Sequence, residues 1–142
     1  MTNKYLSKEQ ILDLLSETDN AKYSLILGKR IMYHATLPNG IRKCVCLSTS
    51  KYHNAQKAYW IDITATQKDI LDSYDTAIVI YILEGLKIAA IKWKVLRDIL
   101  TSDRSTLNAS EGVHWKTYIR DGRIDIPGGG TLPIDIIQLN NN

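Results

Sequence analysis

The segment Ala77-Ile78-Val79-Ile80-Tyr81-Ile82-Leu83 is apolar throughout and rich in β-branched residues. Such a run suits a central strand covered on both faces, because a strand with one wet face alternates in polarity. Glu84-Gly85 follows, and then a second apolar run from Leu86 to Ile91. Two such runs joined by a glycine turn form a hairpin. The rest of the chain must therefore cover a buried hairpin. The run is far short of the roughly 20 apolar residues that cross a bilayer.

The 142 residues fit one domain. Its expected parts are an N-terminal helix over 1–19, a body over 20–139 and a frayed tail over 140–142. With 44% hydrophobic and 23% charged residues, disorder, collagen and coiled coil are excluded. The opening MTNKYLSKEQ has no apolar stretch and no cleavage pattern, so no secretory signal is read. A cytoplasmic protein without a membrane partner is the expectation.

Local signals place the other elements. Ser7-Lys8-Glu9-Gln10 has capping-box spacing, and Ile11, Leu14 and Leu15 follow as a helical stripe, which predicts a helix over 8–17. Residues 22–35 fit a strand or a helix; a strand interrupted at Gly28 is preferred, because Pro38-Asn39-Gly40 then turns it into a strand over 41–47. In that strand Ile41, Val45 and Leu47 oppose Arg42, Cys44 and Cys46. Residues 48–57 read as a polar loop and 59–63 as a strand. Thr64 and Gln67 repeat the capping-box spacing before a short helix, and 92–100 is a further helix. Residues 101–110 read as a mobile loop. The strand 113–119 turns at Asp121-Gly122 into 123–126. Pro127-Gly128-Gly129-Gly130 is a flexible break, and 132–139 is a last strand. About seven strands and three helices result, joined mostly by hairpins. The class is α+β with a mostly antiparallel sheet, open or closed as a barrel.

Few residues combine into a chemical motif. Cys44 and Cys46, the only cysteines, read as packing residues; they can neither close an unstrained disulfide nor complete a four-thiolate zinc site. His34, His53 and His114 lack metal-ligand spacing, no Ser sits in a nucleophile-elbow pattern, and Cys44 has no evident catalytic base. No catalytic residue, metal or cofactor is expected. The one enzyme reading is a metal-dependent nuclease using Asp62 and Glu84, although the Glu84-Gly85-Leu86-Lys87 spacing fits such a site poorly. Trp60 and Trp93 read as core; Trp115, flanked by His114 and Lys116, is the better base-stacking candidate.

Charge is segregated along the chain. From Asn20 to Ile61 there are seven basic residues (Lys22, Lys29, Arg30, Arg42, Lys43, Lys51 and Lys57) and no acid. From Asp62 to Glu84 there are five acids and one Lys. A positive face of this kind suits phosphate. The tip Asn39-Gly40-Ile41-Arg42-Lys43 and the loop Lys51-Tyr52-His53-Asn54-Ala55-Gln56-Lys57 add side chains that can read base edges.

The order hairpin, basic loop, strand, short helix, hairpin, short helix, carried by YWIDITATQKDIL and TAIVIYILEGLKIAAIKWKVLRDIL, resembles the DNA-binding pseudobarrel. That fold has seven strands and two short helices; plant auxin-response-type transcription factors and the target-recognition domains of bacterial restriction endonucleases use it. Here an N-terminal helix is added. The resemblance implies that two arms grip the major groove, one of them near residues 39–57. It implies a sequence-specific double-stranded DNA-binding module of a bacterial restriction system, with a nuclease or motor domain on the same or a partner chain. Lys29, Arg30, Lys43, Lys51 and Lys57 are the expected phosphate contacts. Arg42, His53, Asn54 and Gln56 are the expected base readers, with Asn39 beside them. A protein-interaction module using hairpin edges and the Trp115 strand is the remaining alternative.

Overall fold

The computed structural model describes residues 4–110 and 112–139. The tail expected at 140–142 lies outside them. Helix α1 (Lys8–Asp19) starts at Ser7, whose hydroxyl accepts from the Gln10 N–H while the Gln10 amide oxygen accepts from the Ser7 N–H. It stops at Asn20, in the left-handed region.

Strands β1 (Ser24–Leu25), β2 (Met32–Thr36), β3 (Arg42–Thr49), β4 (Tyr52–His53) and β5 (Ala58–Thr64) lead to helix α2 (Ala65–Asp72). Then come β6 (Thr76–Leu83), β7 (Lys87–Lys92) and the short α3 (Trp93–Leu96), which tightens into a 3-10 turn at Arg97–Ile99. A second 3-10 turn (Ser102–Arg104) precedes β8 (Thr106–Asn108), β9 (Gly112–Arg120), β10 (Arg123–Ile126), β11 (Gly130–Pro133) and β12 (Asp135–Gln138).

Two open sheets result. The first has the order β1-β2-β3-β6-β7-β12; the second runs β11-β10-β9-β5-β4, with β8 also on β9. The fold is α+β and mostly antiparallel; among the described residues only β3 and β6 pair in parallel. The expected count of seven strands is exceeded because β1, β4 and β8 are only two or three residues long, too short to show alternation. The expected strand over 132–139 is also two: Ile134 is buried between β11 and β12, which belong to different sheets. The loop expected to be mobile over 101–110 holds the Ser102–Arg104 turn and β8. Gly28 interrupts the expected strand with φ +80, and its halves β1 and β2 fold back on each other.

Strand β6 is covered on both faces, as its sequence requires. Val79, Tyr81 and Leu83 face a core shared with Ile63, Trp115, Ile119, Ile124 and Ile126 of the second sheet. Ile80 and Ile82 face a second cluster with Val45, Leu47, Ile88 and Ile11 of α1. Each such side chain contributes about 1.5–3 kcal/mol relative to exposure. Cys44 and Cys46 are buried in the shared core, and burial pushes their thiols up to about 12. They are protonated packing residues at neutral pH.

Polar stitches tie the sheets together. The buried Tyr81 hydroxyl donates to Thr117 Oγ1 at 3.0 Å, and Thr117 donates to the Ile61 carbonyl at 2.7 Å. Ser50, where the chain leaves the first sheet, donates its N–H to Ile82 O and brackets the Trp60 backbone: its hydroxyl accepts from Trp60 N–H at 2.8 Å and donates to Trp60 O at 3.0 Å.

Asp72 ties α2 to α3. It accepts from Trp93 Nε1 at 2.7 Å and pairs with Lys68 at 3.2 Å and Arg97 at 3.3 Å. Burial alone raises this carboxyl, but the indole N–H, Lys68 and Arg97 outweigh it and hold it below its ordinary value of 3.8. A depressed carboxylate contributes stability that is present above its unfolded-state value and lost as pH falls through the folded one. Asp72→Asn is therefore expected to flatten the decline in stability below pH 4, measured by urea denaturation from pH 6 to 2. An unchanged profile would show that Asp72 carries none of it.

Candidate nucleic-acid interface

The N-terminal end of α2 is built by Thr64 and Gln67. Thr64 Oγ1 accepts from the Gln67 N–H at 3.1 Å, and Gln67 Oε1 accepts from the Thr64 N–H at 3.0 Å. The capping box uses the amide oxygen and leaves the Gln67 amide nitrogen as a donor.

Two shallow concavities meet at this pair. One, of about 560 Å³, is lined by residues 28–32, Thr64, Thr66, Gln67 and Ser110. The other, of about 430 Å³, is lined by Ser48, His53, Trp60, Ile61, Asp62, Thr64 and Gln67. Lys29 and Arg30 line the first concavity and His53 and Trp60 the second, and Thr64 and Gln67 are common to both. The turn over residues 26–31 positions the two cations: Lys29 N–H donates to Ile26 O, and Gly28 supplies the positive φ that other residues rarely adopt.

The second concavity opens onto the outer face of the second sheet. Trp60 lies opposite Tyr118, and Asp62 opposite Lys116. Since directly opposed residues share a face, Trp60, Asp62, Lys116 and Tyr118 line one surface. The Trp60 ring lies 5.2 Å from His53 and 5.4 Å from Tyr118. Trp60 Nε1 donates to Asp62 Oδ1 at 2.7 Å, and the Lys116 ammonium sits 5.2 Å from the indole centroid. Arg120 stacks over Tyr118 at 5.5 Å and donates to Gln56 O at 2.8 Å.

The ten expected site residues separate into three groups. Lys29 and Arg30 line one of the two concavities and His53 the other. Lys51, Asn54, Gln56 and Lys57 belong to the β4–β5 arm, where Lys57 adopts φ +52 to close the turn. Lys57 lines a separate cleft with Tyr52, Lys87 and Arg120. Asn39, Arg42 and Lys43 are at the other end of α2. There Asn39 Oδ1 accepts from the Ile41 N–H at 3.1 Å, and Arg42 stacks 4.6 Å over Tyr74 with its N–H on Asp75.

Lys43 is committed to structure: it pairs with Asp19 at 2.9 Å with 17% of its side chain exposed. Tyr23 also donates to that carboxylate. The acid-free span is thus partly neutralised by acids from outside it.

The tryptophans exchange their expected roles. Trp115 is buried, and its Nε1 donates to Thr101 O at 2.8 Å. Trp60 is the half-buried outward one. The phase of the strand decides this: Trp115, Thr117 and Ile119 point inward, so Lys116 and Tyr118 point out. Lys116, Tyr118 and Arg120 were legible as the polar half of an alternating strand, but their pairing with Trp60 was not. The two acids of the nuclease reading lie apart in the fold with different partners, Asp62 in β5 on Trp60 and Glu84 in the β6–β7 turn on Lys4 at 3.3 Å. Among the described residues no three His, Cys, Asp or Glu side chains group to hold a metal, and no helix is long and apolar enough to cross a membrane.

Comparison with protein-family models, characterised proteins and solved structures finds no match for this chain.

Proposed function

We propose that this chain binds double-stranded DNA sequence-specifically, as the target-recognition module of a restriction-modification system. The observation that carries the reading is that the concavity lined by Lys29 and Arg30 and the concavity lined by His53 and Trp60 have Thr64 and Gln67 in common. Cations beside donors and aromatic rings suit a phosphate backbone with bases next to it. In this reading Lys29, Arg30, Lys51 and Lys57 hold phosphates. His53, Asn54 and Gln56, on the β4–β5 arm, read base edges. Arg42 forms part of a second contact at the far end of α2, and Lys43 is left to the fold.

Two sheets around one core, with the chain passing between them near Ser50 and Ile134, support treating the architecture as an opened pseudobarrel with extra short strands. Cleavage or modification then falls to a nuclease or motor domain on the same or a partner chain. Selection from a pool of randomised duplexes tests the reading: enrichment of a defined motif is the expected result, and recovery of unenriched sequence would overturn sequence-specific recognition.

A second reading, protein docking, is favoured by Leu27 and Leu107, which are 98% and 75% exposed. A complex that survives nuclease treatment and is lost in Leu27→Ser with Leu107→Ser would favour it.

A further inference from the structure

We infer that the outer face of the second sheet is a stacking platform for an unpaired nucleobase, centred on Trp60. The inference rests on the DNA-binding reading and narrows its substrate to duplex DNA carrying an extruded or bulged nucleotide.

Three observations carry it. First, the indole is fixed before any ligand arrives: Asp62 Oδ1 holds Nε1 at 2.7 Å, and Ser50 brackets the Trp60 backbone. A platform ordered in advance avoids the entropy cost of ordering on binding. Second, His53 and Tyr118 border the ring at 5.2 and 5.4 Å with tilted planes, so an added flat ring meets aromatic surface beneath it and at its rim. Third, the charge fits a strand that brings a phosphate with each base. Asp125 is paired by Arg120 at 3.4 Å and Arg123 at 3.2 Å, and the Asp62 charge, which its hydrogen bond from the indole leaves in place, stands opposite Lys116 across the strands. Lys116 has no ion pair among the described residues and lies over the indole at 5.2 Å. A base that takes the ring face moves this flexible ammonium aside, toward the phosphate of the same nucleotide. The Lys29-Arg30 turn, on the far side of Thr64 and Gln67, holds the flanking backbone.

A fully paired duplex presents no free base face, because its bases are stacked on each other. Preference for an unpaired base is thus the distinguishing property. Base-aromatic stacking of this kind typically changes affinity by about tenfold or more.

The test uses three labelled duplexes of one sequence: fully paired, with a single-base bulge, and with an abasic bulge. Binding is followed by anisotropy and by indole fluorescence. Trp93 and Trp115 are 2% and 5% exposed, so quenching reports chiefly on Trp60. The base bulge is expected to bind about tenfold tighter than either control and to quench the indole. In Trp60→Ala the ratio of the affinities is expected to fall to about one, and in Trp60→Phe to persist. Equal binding of all three duplexes by the wild-type chain, without quenching, would overturn the platform and leave the duplex reading intact. Binding of none would overturn both.

Discussion

Reversing both charges of the 26–31 turn, Lys29→Glu with Arg30→Glu, is expected to weaken binding to mixed-sequence duplex by about 100-fold at 0.1 M salt. Each cation is taken to neutralise one phosphate, and each reversal replaces an attraction with a repulsion. The loss should be nearly uniform across DNA sequences, because phosphate contacts position a protein without reading bases. Folding should be little affected: Arg30 is exposed and Lys29 half-buried, and the bond that shapes the turn is a backbone one, Lys29 N–H to Ile26 O. Surface changes of this type usually stay within about 0.5 kcal/mol. Unchanged affinity in a normally folded double variant would remove the turn from the interface.

The second large effect concerns the scaffold. Tyr81→Ala is expected to cost about 4 kcal/mol, in the range of large aromatic-to-alanine changes in a core. Tyr81 is fully buried between the sheets, and its loss also leaves Thr117 Oγ1 without the hydroxyl that donates to it. The melting temperature should fall by roughly 15 °C. Tyr81→Phe keeps the ring and loses only the hydrogen bond, so about 1 kcal/mol is expected. Urea denaturation of the two variants separates the terms. A cost under 1 kcal/mol for Tyr81→Ala would show that the two sheets are not held by this core.

Local chemistry was readable from the chain alone, and long-range pairing was not. The capping boxes at Ser7 with Gln10 and at Thr64 with Gln67 form as their spacing indicates, because each closes within four residues. The β6–β7 hairpin forms because its apolar runs and its Gly85 turn are adjacent. The parallel pairing of β3 with β6 joins Cys44 to Ala77 and Cys46 to Val79 across the whole β4–β5–α2 crossover, and no local pattern encodes it.

The site shows the same division. The acid-free span groups Lys29, Arg30 and His53 by sequence alone and says nothing about Asp19 and Asp75, which come from outside the span to occupy Lys43 and the Arg42 backbone. The apolar stretch around Trp60 reads as core along the sequence. Only the register with β9, Trp60 to Tyr118 and Asp62 to Lys116, shows that this face of the strand is the outer one.

The salt dependence of binding to a mixed-sequence duplex tests the central claim most directly. With Lys29, Arg30, Lys51 and Lys57 on phosphates, log K should fall linearly with log salt with a slope of about −3 to −4, and by about two less in the Lys29→Glu, Arg30→Glu variant. A flat line for the wild-type chain would contradict a phosphate-binding face.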